Sequence, residues 1–394
     1  MDTKMSAPSK QEYLRLLRQR YPKANRAEKA RILTEGCAVL GLHRKSLIRA
    51  LNRPAPSAHP KRGHPAVYDA AVVKPLKALW KLADYPCSKR LQALLPLWLP
   101  HYERHEGALD FNLRKQLLSM SAATMDRWFQ SLRARRRKGL CGTTPAKLQG
   151  QIPIRTRFQE ADGPGWIEAD TVAHCGESLA GSFIWSLTLT DICSGWTENR
   201  AVWNKESRQI VQRLKEVEDA LPFDILGFDS DNGSEFLNWA VFRYFHERSV
   251  PIDLTRSRPY RKNDNAHVEQ KQWTHVRQLL GYERLDNRRL LDRINALYAG
   301  PWRALQNFFL PTMQLISKSR EDGHLHRYHS RPKTPYQRLM DSPKISAEQK
   351  TRLRKEMECF DPIVLRQQIE TQLREIFRLL RKQPKKENKK LLAA

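Results

Sequence analysis

Apolar positions recur at helical spacing over the first third of the chain. Leu14, Leu16 and Leu17 begin one stripe, and Ala30, Ile32, Leu33, Cys37 and Leu40 form a second. Gly41-Leu42-His43 breaks the pattern before a short basic helix ending at Asn52. Helix, glycine-containing turn and basic helix is the outline of a helix-turn-helix over residues 1–52. A plain helical hairpin with a solvated basic face is the competing reading. Pro54, Pro56, Pro60 and Pro65 mark 53–66 as an extended linker. Helical periodicity resumes over 67–138. Its last helix is expected to start at Ser121 as N-cap and to carry Met125, Trp128, Phe129 and Leu132 on one face. That helix ends in Arg133, Arg135, Arg136, Arg137 and Lys138, the outline of a second helix-turn-helix. Residues 139–158, rich in Gly, Thr, Pro, Lys and Gln, read as a further linker.

From about 159 the period shortens. Strands are expected over Trp166–Thr171, Phe183–Asp191 and Trp196–Trp203, with a turn at Ser194-Gly195. An amphipathic helix over Ser207–Ala220 turns Ile210, Val211, Leu214 and Val217 inward. A buried strand over Ile225–Ser230, a helix over Ser234–Arg248, a strand over Pro251–Thr255, a polar loop and a helix over Ala266–Leu280 complete the domain, 159–285. Three strands in a meander followed by alternating helices and strands predict an α/β core of ribonuclease-H-like topology, a five-stranded mixed sheet with helices. All-α helix-turn-helix segments precede it. A helical region over 286–381 follows, with a short motif at Pro332-Lys-Thr-Pro335-Tyr-Gln-Arg338, and 382–394 is a basic tail.

Charge narrows the partner. The 394 residues hold 70 Lys and Arg against 42 Asp and Glu, a net charge of +28. Such an excess points to a polyanion, and nucleic acid is favoured over an anionic membrane because no segment joins a basic face to a lipid-seeking one. No apolar run nears the ~20 residues of a spanning helix. The start of the chain lacks the apolar core of a signal peptide, so a cytoplasmic protein is expected. The six cysteines fall in no CxxC pair and no zinc spacing, and read as reduced, mostly buried thiols.

Three carboxylates stand in distinctive surroundings. Asp170 lies in Gly165-Trp-Ile-Glu-Ala-Asp170-Thr171. Asp231 opens Asp231-Asn-Gly-Ser-Glu-Phe236 at the end of an apolar strand. Glu269 follows 38 positions later, in His267-Val-Glu-Gln-Lys271, after Arg258-Pro-Tyr-Arg-Lys-Asn-Asp-Asn265. Three acids brought together from distant segments can hold two divalent metals and cut phosphodiesters. In this topology Asp170 and Asp231 sit on neighbouring strands. Like charges so placed raise each other's pKa unless a hard cation such as Mg²⁺ joins them.

On these motifs the chain resembles bacterial insertion-sequence transposases, whose core is similar to that of retroviral integrases, the DDE superfamily. The resemblance is strong over about 155–285, and weaker for the N-terminal helices and the Pro335-Tyr-Gln-Arg338 motif. It departs from retroviral integrases in lacking their His/His/Cys/Cys zinc domain and an evident C-terminal barrel. The resemblance implies that Asp170, Asp231 and Glu269 bind two Mg²⁺ or Mn²⁺ ions. It implies that water frees a 3′-OH at each element end, and that this hydroxyl attacks target DNA. The implied partners are double-stranded DNA, both ends and target, and further copies of the chain on that DNA.

Candidate DNA contacts are Arg44, Lys45 and Arg49 in the first basic helix, Arg127, Arg135 and Arg136 in the later one, Tyr260, Arg261 and Lys262 in the polar loop, and Lys271 on the catalytic helix, which shares a face with His267 and His275. Glu168 and Asp229, each two positions from a triad member, compete as ligands. Asp191 reads as a turn residue, Glu235 as a helix-opening acid and Asp264 as a cap. Two other functions stay open: a catalytically silent, transposon-derived DNA-binding protein, and a nuclease that cuts without joining.

Overall fold

The computed structural model describes residues 6–52, 68–130, 163–231, 233, 235–256, 266–321 and 324–381. It falls into two units, Met1–Val67 and Tyr68–Ala394. The first contains α1 (Ala7–Arg20), α2 (Arg26–Leu40) and α3 (Arg44–Asn52). Asn25 and Glu28 form a reciprocal capping box that starts α2, and Gly41, at φ 68°, ends it in the left-handed conformation glycine adopts without strain. Leu17, Ile32, Leu33, Leu40, Leu47 and Leu51 make the core. At Gly36 an added Cβ would lie 2.8 Å from Leu47 Cδ2, so the glycine permits the close approach of α2 to α3.

The second unit opens with α4 (Ala70–Leu82), α5 (Ser88–Glu106), α6 (Phe111–Ser119) and α7 (Ala122–Phe129). Ser121 caps α7, as expected, by accepting from the Thr124 N–H. Met125 and Phe129 are buried, but Trp128 is 42% exposed, which corrects the expected apolar face. These helices do not stand apart. Leu94, Leu95 and Trp98 belong to the same apolar core as the sheet, Trp98 Nε1 donates to the Phe309 carbonyl, and Arg90 donates to the Pro311 carbonyl. The segment expected as a separate domain over 67–138 therefore folds, as far as it is described, as one wall of a larger unit. The linkers at 53–66 and 139–158 lie outside the described residues, as do Leu132, Arg133, Arg135, Arg136, Arg137, Lys138 and the tail.

The α/β core follows in the expected order: β1 (Trp166–Ala173), β2 (Ile184–Asp191), β3 (Thr197–Trp203), α8 (Ser207–Ala220), β4 (Gly227–Ser230), α9 (Trp239–His246), β5 (Asp253–Arg256) and α10 (Ala266–Lys271). The five-stranded mixed sheet runs β3-β2-β1-β4-β5, with β1, β2 and β3 antiparallel and β1, β4 and β5 parallel. Ile210, Leu214 and Val217 of α8 are buried, and Phe228 on β4 packs on Phe236 and Phe245. The helix expected from Ser234 begins only at Trp239, because Asn238 caps it there through the Ala240 and Val241 N–H groups. The helix expected over Ala266–Leu280 is continuous but widens into π geometry over Gln272–Arg277, before α11 (Gln278–Leu280).

Beyond 285 the expectation of an all-helical region needs correction. After α12 (Leu290–Leu297) an antiparallel hairpin intervenes, β6 (Leu315–Glu321) with β7 (His324–His329). The helices α13 (Pro335–Asp341), α14 (Ala347–Glu358) and α15 (Pro362–Arg381) are the last elements among the described residues. The Pro335 motif is structural. Thr334 and Gln337 form a capping box for α13, and Arg338 donates to the Thr312 and Ser194 carbonyls, tying α13 to the β2–β3 turn. The five described cysteines are free and none is buried. No described helix is long and apolar enough to cross a membrane.

Candidate active site

Strand register creates the site. In the parallel pair of β1 and β4, Glu168 lies beside Asp229 and Ala169 beside Ser230. One step further the chains carry Asp170 and Asp231. Adjacent strands run about 4.8 Å apart, so the two aspartates emerge side by side on one face, where the pairing of β1 with β4 ends. Alternation sends Ile167 and Ala169 of β1 into the apolar core, while Glu168 and Asp170 share the opposite face.

Glu168 is the device that brings the third acid. Its Oε2 accepts the backbone N–H groups of His267 and Val268, both at 3.1 Å, in the first turn of α10. A carboxyl on β1 thus holds the start of the helix that bears Glu269. Glu168 is 2% exposed, and burial, reinforced by Asp229 and Glu269, pushes it up to about 8 against those two N–H bonds. Its neighbour Asp229 is equally buried and accepts from the Thr255 hydroxyl at 2.6 Å. Both compete poorly as ligands, since their oxygens already anchor α10 and β5.

Asp170 and Asp231 are half-buried and Glu269 is exposed. Asp170 is held well above the usual carboxylate range, first by burial and then by Asp231, Glu235 and Glu269, with the Thr171 N–H opposing. Asp231 is pushed up to about 6 by burial and Glu235, against the Gly233 N–H and Lys205. Of the acids expected as a triad, Asp231 and Glu269 thus act on the charge of Asp170, while Glu235 acts on both aspartates. As the side chains stand, no three His, Cys, Asp or Glu among the described residues are gathered tightly enough to hold a metal ion. Gln272, in the widened turn after α10, donates its amide to Asp170 Oδ2.

Sequence reasoning missed the part played by Glu235. It does not open a helix; it lies in the turn before α9, is 3% exposed, and accepts from the Thr171 hydroxyl at 2.6 Å and from Lys205 Nζ at 2.5 Å. A Cβ added to Gly233 would sit 2.6 Å from Glu235 Oε2 and 2.8 Å from Asp231 Oδ1. The glycine of the Asp231-Asn-Gly motif leaves room for two carboxylates to crowd its Cα. The motif spacing, with a second acid four positions after the first, was the available signal.

The remaining candidates divide. Arg44, Lys45 and Arg49 are exposed on α3, and Arg127 is exposed on α7. Tyr260, Arg261, Lys262, Asn263, Asp264 and Asn265 lie outside the described residues, as do Arg135 and Arg136. Lys271 corrects its expectation: it is 7% exposed, its ammonium faces the Gly195 carbonyl at 3.3 Å, and burial with Arg90 and Arg338 nearby lowers it to about 7. His275 is likewise buried. Neither forms a solvated or DNA-facing surface here. Asp191 matches its reading as a turn residue, accepting from the Ser194 N–H and hydroxyl and from the Gly165 N–H.

No protein-family model matches the chain. It is 40% identical over 340 residues to the uncharacterized protein y4rM of Sinorhizobium fredii (strain NBRC 101917 / NGR234), a match spanning 84% of this chain and 95% of that protein. The chain belongs to the family of that protein.

Proposed function

We propose that the protein is a DDE transposase, with a ribonuclease-H-like core, that cuts phosphodiesters at the ends of a mobile DNA element and joins the freed 3′-OH groups to target DNA. One observation carries the reading: Asp170, on β1 just past the end of its pairing with β4, feels the charges of Asp231 past β4, of Glu235 and of Glu269 on α10. The sheet order, with the first strand central and flanked by the second and fourth, supports the same fold.

The residues fit a hard divalent cation. The donor set is all carboxylate oxygen, Asp231 and Glu269 both raise Asp170, and Glu235 Oε2 is buried with no hydrogen-bond partner among the described residues. Asp170, Asp231 and Glu269 would hold Mg²⁺ or Mn²⁺, which when bound supplies the Lewis acidity for water activation and for the leaving oxygen. The chain itself sets the geometry. Glu168 fixes the helix that carries Glu269, and Gln272 orients Asp170. In the hydrolytic step water bonds to phosphorus and the 3′-oxygen leaves with a proton. In joining, that 3′-OH bonds to a target phosphorus and a target 3′-oxygen leaves. Each step exchanges one P–O bond for another, so no nucleotide is consumed.

DNA contact in this reading falls to α3, to α7 and to the β6–β7 hairpin. The hairpin exposes Arg320, Arg327, His326 and Tyr328, and a two-stranded ribbon fits a DNA groove. The test incubates full-length protein with a labelled DNA end, a target plasmid and Mn²⁺ or Mg²⁺. Joined product is expected from the wild type and none from Asp231→Asn, with binding of the DNA end retained. Nicking without joining, or binding alone, would overturn the proposal.

A further inference from the structure

Glu235 and Lys205 form a pair whose construction exceeds what a surface ion pair needs. Lys205 follows β3 in a turn where Asn204 and Lys205 both take left-handed backbone conformations, φ 57° and 46°. Neither residue is glycine, so the turn is strained. It is held there by the Asn204 side chain, which accepts from the Phe183 N–H and donates to the Ser182 hydroxyl. The result is an ammonium 4.0 Å above the Trp185 ring centroid and 2.5 Å from Glu235 Oε1. Glu235 uses only that one oxygen, which also accepts from Thr171. Its other oxygen, Oε2, is buried, lacks a hydrogen-bond partner among the described residues, and presses on the same point of Gly233 as Asp231 Oδ1. A buried carboxylate oxygen without a donor, sharing its surroundings with a second carboxylate oxygen, is unfavourable unless a cation joins the two.

Resting on the reading of this site as a divalent-cation site, we propose that Glu235 is its fourth carboxylate and that the Lys205 ammonium is the counter-charge the cation displaces. Oε2 is the donor offered to the cation beside Asp231. Lys205 neutralises Glu235 when the cation is absent and yields its place when one binds. The lysine then lies at the mouth of an anionic site with its own partner taken, free to meet a DNA phosphate.

The sign of one mutation separates this from a structural role. Mn²⁺ alone is titrated into full-length protein without DNA, and free Mn²⁺ is read by electron paramagnetic resonance. Wild type, Asp231→Asn, Glu235→Gln and Lys205→Met are compared, with thermal unfolding as the check that each is folded. Glu235→Gln keeps an oxygen for the Thr171 hydroxyl and is expected to weaken Mn²⁺ binding by about 10–100-fold. Lys205→Met removes the competitor and is expected to tighten binding, on the order of tenfold. Were Lys205 there only to brace Glu235, its removal would weaken binding. Unchanged affinity in Glu235→Gln alongside lost affinity in Asp231→Asn overturns the role of Glu235 and leaves the cation site standing. Weakened or unchanged affinity in Lys205→Met overturns the displacement. Equal absence of binding in wild type and Asp231→Asn overturns the cation site itself.

Discussion

Truncating Glu168 is expected to disable the site although none of the proposed ligands is altered. Its Oε2 accepts two backbone N–H groups at the start of α10, each at 3.1 Å, in surroundings that leave the residue 2% exposed. Glu168→Ala removes that acceptor from both. At about 1–3 kcal/mol for each buried donor left unpaired, the loss is roughly 2–6 kcal/mol, concentrated on the turn that carries Glu269. Glu168→Gln retains an amide oxygen at the same place, and its cost at acid pH is expected to be about 1 kcal/mol or less.

The two variants also differ from wild type in pH dependence. Burial moves the Glu168 carboxyl from 4.5 to about 8 in the folded protein. Between those values the folded chain holds a proton that the unfolded chain has lost, so stability falls as pH rises through that window. Gln carries no such slope. Relative to wild type it should gain with rising pH, by on the order of 4–5 kcal/mol above pH 8. Denaturant unfolding at pH 5.5 and 8.5 without added metal reads the difference, and end joining with Mn²⁺ reads the site. If Glu168→Gln proves as inactive as Asp231→Asn, Glu168 is a ligand and not an anchor. A Glu168→Gln variant that fails to gain stability on wild type between pH 5.5 and 8.5 would refute the electrostatic argument.

Three other outcomes follow from the geometry. Gly233→Ala puts a Cβ 2.6 Å from Glu235 Oε2 and 2.8 Å from Asp231 Oδ1; cleavage should fall by about 100-fold with little change in melting temperature, and wild-type cleavage would contradict the crowding. Lys271 titrates near 7 when folded and 10.5 when unfolded, so folding releases its proton and stability rises with pH between those values; Lys271→Met should therefore melt higher than wild type at pH 6, and a lower melting temperature would mean that its bond to the Gly195 carbonyl outweighs the burial cost. Arg320→Ala with Arg327→Ala should flatten the dependence of DNA affinity on salt, by about 0.9 in log–log slope for each phosphate no longer neutralised; an unchanged slope would remove the β6–β7 hairpin from the interface.

The sheet was legible because its strands alternate and its turns carry Gly and Asp. α8 runs over Ser207–Ala220 as its apolar stripe required, and the order of strands and helices followed. The β6–β7 hairpin was illegible for the opposite reason. Ile316, Leu325, Tyr328 and the arginines are exposed, so among the described side chains no face of the ribbon is buried and no apolar alternation is written into it. The wall formed by α4 to α7 was mistaken for a separate domain because a helix stripe records burial, not the identity of the neighbour. Leu91, Leu94, Leu95, Trp98, Leu99 and Tyr102 are all buried on α5, too broad a set for one small helical partner. The widening at Gln272–Arg277 has no proline or glycine to announce it. At the site, motifs singled out Asp170, Asp231 and Glu269, but the pairing of Glu235 with Lys205 depends on a strained turn after β3 that composition does not encode.

The arrangement of acids on β1 and β4 bears on whether this sheet serves only as a scaffold. Glu168 and Asp229 are adjacent in register, both nearly inaccessible, with Asp170 and Asp231 at the next position of the same face. Apolar residues there would make a more stable sheet, because burying ionisable groups among like charges costs free energy in every strand involved. The two inner acids recover part of that cost by tying β1 to α10 and β4 to β5. The two outer ones accept from nearer groups: Asp231 from the Gly233 N–H, and Asp170 from Gln272 and from its own neighbour Thr171. In the proposed reading, the inner carboxylates anchor the sheet and the outer ones, on the same face, are the place where positive charge is received. That arrangement is what the proposed enzyme requires and what a silent DNA-binding protein does not.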